Sequence, residues 1–207
     1  IGLLESAYYT CDGEITEEVV KDLDNGFGEY SDDDHFYLLS CLQKSIRGSD
    51  VNATMFYLAK ILAGGDLLSV CRRLQVIASE DVGNAYPLAA AVTRACVESA
   101  RDLGLPEAAL PLANAAAMLA TAPKSNAAHD AYFAALADVE AGKGAVVPAH
   151  LQSPLFKGYK YPHEYPNHFV EQEYLPDDLK AREYYKFGTS KTEQAAKMYY
   201  DMIHGKK

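Results

Sequence analysis

Three groups of side chains in this 207-residue chain are of types that could do chemistry. His163, Glu164 and His168 fall within YPHEYPNH. Two imidazoles and a carboxylate are metal-ligand types, and the histidine spacing is that of adjacent helical turns. Pro162 and Pro166 oppose a regular helix there, because each removes a backbone donor and clashes with the preceding turn. The residues therefore read as hydrogen-bonding histidines in a packed arm. Arg72 and Arg73 precede Glu80 and Asp81 on one predicted helix. Arg73 and Glu80 lie about two turns apart on a similar face. Asp81 sits near the helix C-terminus, where the helix dipole disfavours a carboxylate. It needs a partner, an arginine or a backbone donor from elsewhere. An ion-pair network that fixes helix packing or a subunit contact is preferred; contact with nucleotide or DNA is the alternative. The third group is aromatic: Tyr159, Tyr161, Tyr165, Tyr174, Tyr184 and Tyr185, with Lys160 among them. Tyrosines interleaved with lysines can stack unpaired bases. They also anchor cores and intersubunit contacts, which is the preferred reading.

The usual reaction centres have no motif here. There is no GxxxxGK[ST] phosphate loop, and neither Gly64-Gly65 nor Gly142-Lys143-Gly144 has its spacing. GxSxG, HExxH and the calcium-loop pattern are absent too. A catalytic site, a bound cofactor and a metal are therefore not expected in this chain. Cys11, Cys41, Cys71 and Cys96 lie far apart without a CxxC pair, and read as free thiols in a reducing compartment. A net charge of −10 and a pI near 5.0 make the chain a poor general ligand for nucleic acid. Acidic residues crowd positions 12–34, whereas lysine and arginine recur from Lys157 onward. No signal peptide and no bilayer-length apolar run are read. The chain opens at Ile1 without a methionine, so a segment of a longer protein is expected.

The elements that must position these groups are helical. Residues 3–7 carry a short apolar face. Ile15-Thr16-Glu17-Glu18 reads as a helix start, with Thr16 able to cap. Residues 25–34 form a linker. A helix from about Asp33 carries Leu38, Leu39, Leu42 and Ile46 and ends at Gly48. Ser49 or Asp50 caps the next, which Gly64-Gly65 ends. Asp66 caps a third that contains Leu67, Val70, Cys71, Leu74, Ile77 and Ala78. The alanine-rich region 87–141 predicts helices opening at Pro87, Pro106 (to about Ala120) and Ser125 (to Glu140), with Gly104 between the first two. Residues 145–179 read as a long irregular arm, in which Val146-Val147 could form a short strand. A final helix is expected over 190–204.

Three segments carry a family resemblance: SIRGSD at 45–50, RRLQVIASEDVGNAYP at 72–87, and GYKYPHEYPNHFVEQEYLPDDL at 158–179. Together they resemble the C-terminal region of the RarA/MgsA family of AAA+ ATPases, related to Werner helicase-interacting protein. The resemblance implies an all-α fold, a helical array like the clamp-loader-type oligomerisation domain that follows an AAA+ module. It assigns 1–24 to the end of the AAA+ lid, 25–34 to the linker, and 35–207 to the oligomerisation domain, arm included. It implies a non-catalytic homotetramerisation role in DNA replication and recombination at stalled forks. ATP and magnesium belong to the family's AAA+ module, whose Walker and arginine-finger residues have no counterparts here. The lid's sensor arginine is expected upstream of Ile1. DNA and single-stranded-DNA-binding protein are implied as partners of the full-length protein, membranes are not, and the location implied is cytoplasmic and nucleoid-associated. Candidate interface or DNA contacts are Arg47, Arg72, Arg73, Glu80, Asp81, Tyr159, Lys160, Tyr161, His163, Tyr165, Asn167 and His168. A single-stranded nucleic-acid-binding module using the Tyr/Lys arm is the rival reading. The tail after Lys186 follows no pattern that assigns it a role.

Overall fold

The computed structural model describes Thr16 and residues 32–152 and 158–205. The elements expected before residue 32 lie outside the described residues, apart from Thr16, and so does Cys11. The described residues form seven α-helices and no strand: α1 (Asp32–Arg47), α2 (Val51–Ala63), α3 (Leu67–Ile77), α4 (Ala89–Leu103), α5 (Ala109–Thr121), α6 (Ala127–Glu140) and α7 (Lys191–Ile203). None is long and apolar enough to cross a membrane.

Short polar residues start these helices for a local reason. The first backbone N–H groups of a helix have no partner inside it, and a side-chain oxygen at the cap supplies one. Asp50 Oδ1 accepts from Ala53 N at 2.9 Å, and Asp66 Oδ1 from Ser69 N at 2.9 Å. Ser190 Oγ accepts from Glu193 N at 3.2 Å. Stops are equally local: Gly104, at φ +70°, closes α4 through its N–H on the Ala100 carbonyl.

Two starts differ from expectation. Proline at 106 opens a hydrogen-bonded turn, with Ala109 N on Pro106 O at 3.2 Å, and α5 itself begins at Ala109 beside the fully buried Ala108. Asn126, at the N-cap position of α6, makes no side-chain cap bond. Ser125, one residue earlier, accepts from Ala127 N at 3.3 Å through Oγ while its hydroxyl donates to Glu193.

The core is built from α1 to α5. Helix α1 packs on α2 and α3, α2 on α5, and α4 on α5. Leu42, Ile46, Leu74, Ile77, Leu112 and Leu119 are fully buried at the junctions. Burying each such side chain stabilises the fold by about 1.5–3 kcal/mol relative to exposure. Ala115, Ala116 and Ala120 are also fully buried, so α5 presents little side chain where it meets its neighbours. Helices α6 and α7 are different. Only Asp138 of α6 and only Glu193 of α7 are buried.

Helix α3 runs into a wide five-residue π turn, Ala78–Val82, closed by Gly83 N–H on the Ala78 carbonyl. Gly83 holds φ +47°, and a Cβ there would lie 3.0 Å from the Ser125 carbonyl. Both facts require glycine at this corner.

Residues 145–152 and 158–179 form an irregular finger broken by short 3₁₀ turns, and Val146-Val147 stay exposed rather than forming a strand. The finger is closed across its own width. His150 Nε2 donates to the Glu173 carbonyl at 2.8 Å. Lys160 N donates to Gln172 Oε1 at 3.2 Å, and Gln172 Nε2 to the Lys160 carbonyl at 2.8 Å. At its base, Gly144 N donates to Asp178 Oδ2 at 2.9 Å and Leu179 is buried. The tip tyrosines are not part of this chain's core: Tyr161 is 52% and Tyr165 38% exposed. Phe169 meets the His204 ring at the end of α7, 4.4 Å centroid to centroid. Replacing Leu74 by Ala should cost about 2–5 kcal/mol in a urea melt, whereas Tyr161→Ala should cost under about 1 kcal/mol, as surface substitutions do.

Candidate functional site

The residues singled out in the sequence meet at the C-terminal end of α3. Asp81 lies in the π turn and is 5% exposed. An ionised carboxylate so placed must be partnered or it is costly. The partner is Arg47, from the last turn of α1. Its Nε donates to Asp81 Oδ1, and its Nη2 to Glu80 Oε1 at 2.9 Å. The two acidic groups hold the guanidinium above its ordinary range, Asp81 first, against some loss from burial. Gln43, also on α1 and buried, donates through Nε2 to Asp81 Oδ2 at 3.2 Å and Glu80 Oε2 at 3.0 Å. Its Oε1 accepts from Arg73 Nη1 at 2.8 Å. Arg73 precedes the π turn and Glu80 lies in it, and both face α1. Arg72 is exposed and takes no part in this cluster.

A second joint continues from the first. Ser125 N donates to the Asp81 carbonyl at 2.9 Å. Ser125 Oγ donates to Glu193 Oε1 at 2.6 Å. Glu193 is 1% exposed and also accepts from Ser190 Oγ at 2.8 Å and Gly188 N at 3.1 Å. A Cβ on Gly188 would run into the Glu193 carboxylate, so this position must be glycine. Next to it, Lys124 Nζ donates to the carbonyls of Ala120 (3.0 Å) and Ala122 (2.6 Å) and to Ser49 Oγ (3.0 Å). It thereby caps the negative end of α5. Burial pushes its ammonium down and the Asp81 charge opposes this. A cleft of about 410 Å³ opens over these groups, lined by Arg47, Glu80, Asp81, Lys124, Asn126 and His129 among others. Two carboxylates face it, and its lysine already holds three acceptors.

The third joint is Asp138, the one buried residue of α6. It takes Lys143 Nζ at 2.7 Å, Arg182 Nη2 at 2.6 Å and the Tyr184 hydroxyl at 2.9 Å. These donors, Lys143 first, hold its carboxyl down at about 2 despite burial. Burial and the same carboxylate raise the Tyr184 phenol. Gln43, Ser125, Asp138 and Glu193 were not among the residues chosen from sequence. Only Glu193 had a usable signal, the Ser-x-x-Glu pattern with Ser190.

The arm candidates gather at the tip of the finger. Tyr161 and His163 rings lie 5.1 Å apart, and His163 and His168 rings 5.0 Å apart. Asn167 and His168 both hold positive φ, +57° and +52°, turning the tip back on itself. Glu164 and Tyr165 are exposed beside them, Tyr159 is half-buried, and Lys160 is spent on closing the finger. Among the described residues no three His, Cys, Asp or Glu side chains are placed to hold a metal ion.

What these residues build is a set of polar joints between helices, with an aromatic finger and two weakly buried helices left facing outward. The same class emerges from comparison with known proteins. The family model described as MgsA AAA+ ATPase C terminal matches residues 48–204. A replication-associated recombination protein A from Bacillus subtilis (strain 168) is 46% identical over 213 aligned positions, covering 96% of this chain and 51% of that protein. Its namesake in Escherichia coli (strain K12) is 41% identical over 73% of this chain and 37% of its own length. An ATPase WRNIP1 of Dictyostelium discoideum is 34% identical over 74% of this chain and 19% of its own length. The chain belongs to the MgsA AAA+ ATPase C-terminal family, and it spans about half the length of the Bacillus relative and less of the others.

Replacing Arg47 by Met leaves the Asp81 carboxylate buried with Gln43 alone. It should destabilise the fold by about 1–3 kcal/mol in a denaturant melt, the usual cost of an unsatisfied buried group. Asp138 makes a second test. Its carboxyl is depressed in the fold to about 2, below an unfolded value of about 3.9. Its contribution is therefore full above the unfolded value and is lost as pH falls from about 4 towards 2. Thermal melts of the native chain and Asp138→Asn should differ near neutral pH and converge across that interval.

Proposed function

We propose that this chain is an assembly domain that holds AAA+ ATPase modules in a homotetramer, within a protein acting in DNA replication and recombination at stalled forks. The observation that carries the reading is α6. Its 14 residues include Tyr132, Phe133, Leu136, Val139 and six alanines, yet Asp138 is its one buried residue. A helix apolar on so many sides is ordinarily covered on more than one of them. Outward-facing Leu88, Leu103 and Leu110 on the α4–α5 side, and Met198, Tyr199 and Met202 on α7, favour association in the same way. In this reading ATP and magnesium belong to the ATPase module. DNA and single-stranded-DNA-binding protein are partners of the full-length protein, which works in the cytoplasm at the nucleoid.

A second reading rests on the exposed ring ladder of Tyr161, His163 and His168, which offers faces on which unpaired bases could stack. Its charge counts against it. Glu164, Glu171 and Glu173 outnumber Lys160 in the described part of the finger, and phosphate repels carboxylate.

Light scattering should give a mass four times that of one chain at micromolar concentration, with no ATP turnover by the pure chain, with or without DNA. A monomer up to high micromolar concentration would count against the assembly reading. Salt-dependent binding of a labelled single strand, lost in Tyr161→Ala, would favour the second.

A further inference from the structure

The outward face of α6 has a pattern of its own. Asp138 fixes which side of the helix meets the body. At 3.6 residues per turn, the opposite side carries His129, Tyr132, Phe133, Leu136 and Glu140, at steps of three and four residues. Tyr132 is 62% and Phe133 51% exposed. The rings are already set as a ridge: His129 lies 4.6 Å and Tyr132 5.3 Å from Phe133, centroid to centroid. This face is self-complementary when it meets an antiparallel copy of itself. With a two-fold axis between Ala134 and Ala135, His129 falls opposite Glu140, Phe133 opposite Leu136, and Tyr132 opposite Ala137. No two like charges and no two large rings are opposed. Glu140 is poorly placed at the C-terminal end of its own helix, but it would lie beside the N-terminal end of the other, where a carboxylate is favourable.

We infer that α6 pairs with α6 of a second copy of this chain, antiparallel about a two-fold axis between Ala134 and Ala135. The inference rests on the assembly reading above and specifies which surface performs it. The occupant is a second copy rather than an unrelated protein because the pattern complements its own reverse. The face lies opposite the polar joint that fixes α6, and among the described residues its Tyr132 and Phe133 rings stand exposed, while His129 at its N-terminal end also borders the cleft over Asp81. A helix of this length is about 21 Å long. Two such helices bury an area at the low end of specific interfaces. The contact is therefore one of the two kinds that a tetramer of two-fold symmetry needs.

The test uses the full chain and two variants. Phe133 touches only residues of its own helix in the ring contacts described, so Phe133→Glu should keep the native circular dichroism and melting curve. Its mass by light scattering should be half that of the native assembly. Separately, Phe133→Cys and Leu136→Cys chains carrying different tags are mixed and oxidised, with the native chain as the blank for its own cysteines. A disulfide joining the two tags is expected. A native chain that is already monomeric overturns the assembly reading and this contact with it. A native assembly whose mass survives Phe133→Glu, without the mixed disulfide, overturns this contact alone. Halved mass without the mixed disulfide overturns the antiparallel register. The mixed disulfide with retained mass supports the contact.

Discussion

One carboxylate, taken out of water, organises this molecule. Asp81 is held by Arg47 and Gln43 from α1 while its own carbonyl receives the Ser125 amide. Three separate stretches of chain are thereby fixed to one residue: the end of the first helix, the π turn after α3, and the turn between α5 and α6. The apolar core would permit small slides of α1 along α3, since Leu42, Ile46, Leu74 and Ile77 are similar in size. Directional bonds to a buried charge do not permit such slides. The cost of breaking them exceeds what repacking could recover. Glu193 repeats the device at one remove, joining α7 to the same Ser125.

The helical body was largely legible in the sequence. Asp50, Asp66 and Ser190 are caps that announce themselves, because a short polar oxygen before an apolar stripe has one local use. Gly104 and Gly48 stop helices for equally local reasons. Arg47, Glu80 and Asp81 stand out in the sequence as well, and a carboxylate at a helix C-terminus calls for a partner from another element, which Arg47 provides. What sequence could not supply was the partner's identity. Arg73 and Glu80 share a face of one continuous helix in the sequence, but Glu80 lies in the π turn and both residues bond to Gln43 of α1. Asp138 and Gln43 gave no signal, since an acid or an amide on an alanine-rich or amphipathic helix usually faces water. Burial of Asp138 depends on Lys143, Arg182 and Tyr184, of which the last two lie more than forty positions away in the chain. The finger was recognised as irregular. The closing bonds from Gln172 and His150 are long-range pairings that no sequence pattern announces.

In the proposed assembly role, a domain that holds several ATPase modules together would need a rigid interior and outward-facing apolar or aromatic side chains. The five-helix body would supply the first, and α6, α7 and the rings of the finger the second. The charged joints lie behind these surfaces rather than on them, so a neighbour can press on α6 without breaking the bonds that orient it.

The π turn limits how the length of this chain can vary. A π turn is an α-helical turn with one residue more, its closing bond running from Gly83 N–H to the Ala78 carbonyl five positions back. Loss of a single residue between Ala78 and Val82 would restore an ordinary helix and rotate everything beyond by about 100°. Asp81 would then swing off Arg47, and the backbone that receives Ser125 would turn with it. A change of length between Ile77 and Gly83 would thus break two joints at once, where the same change in an exposed loop would break none.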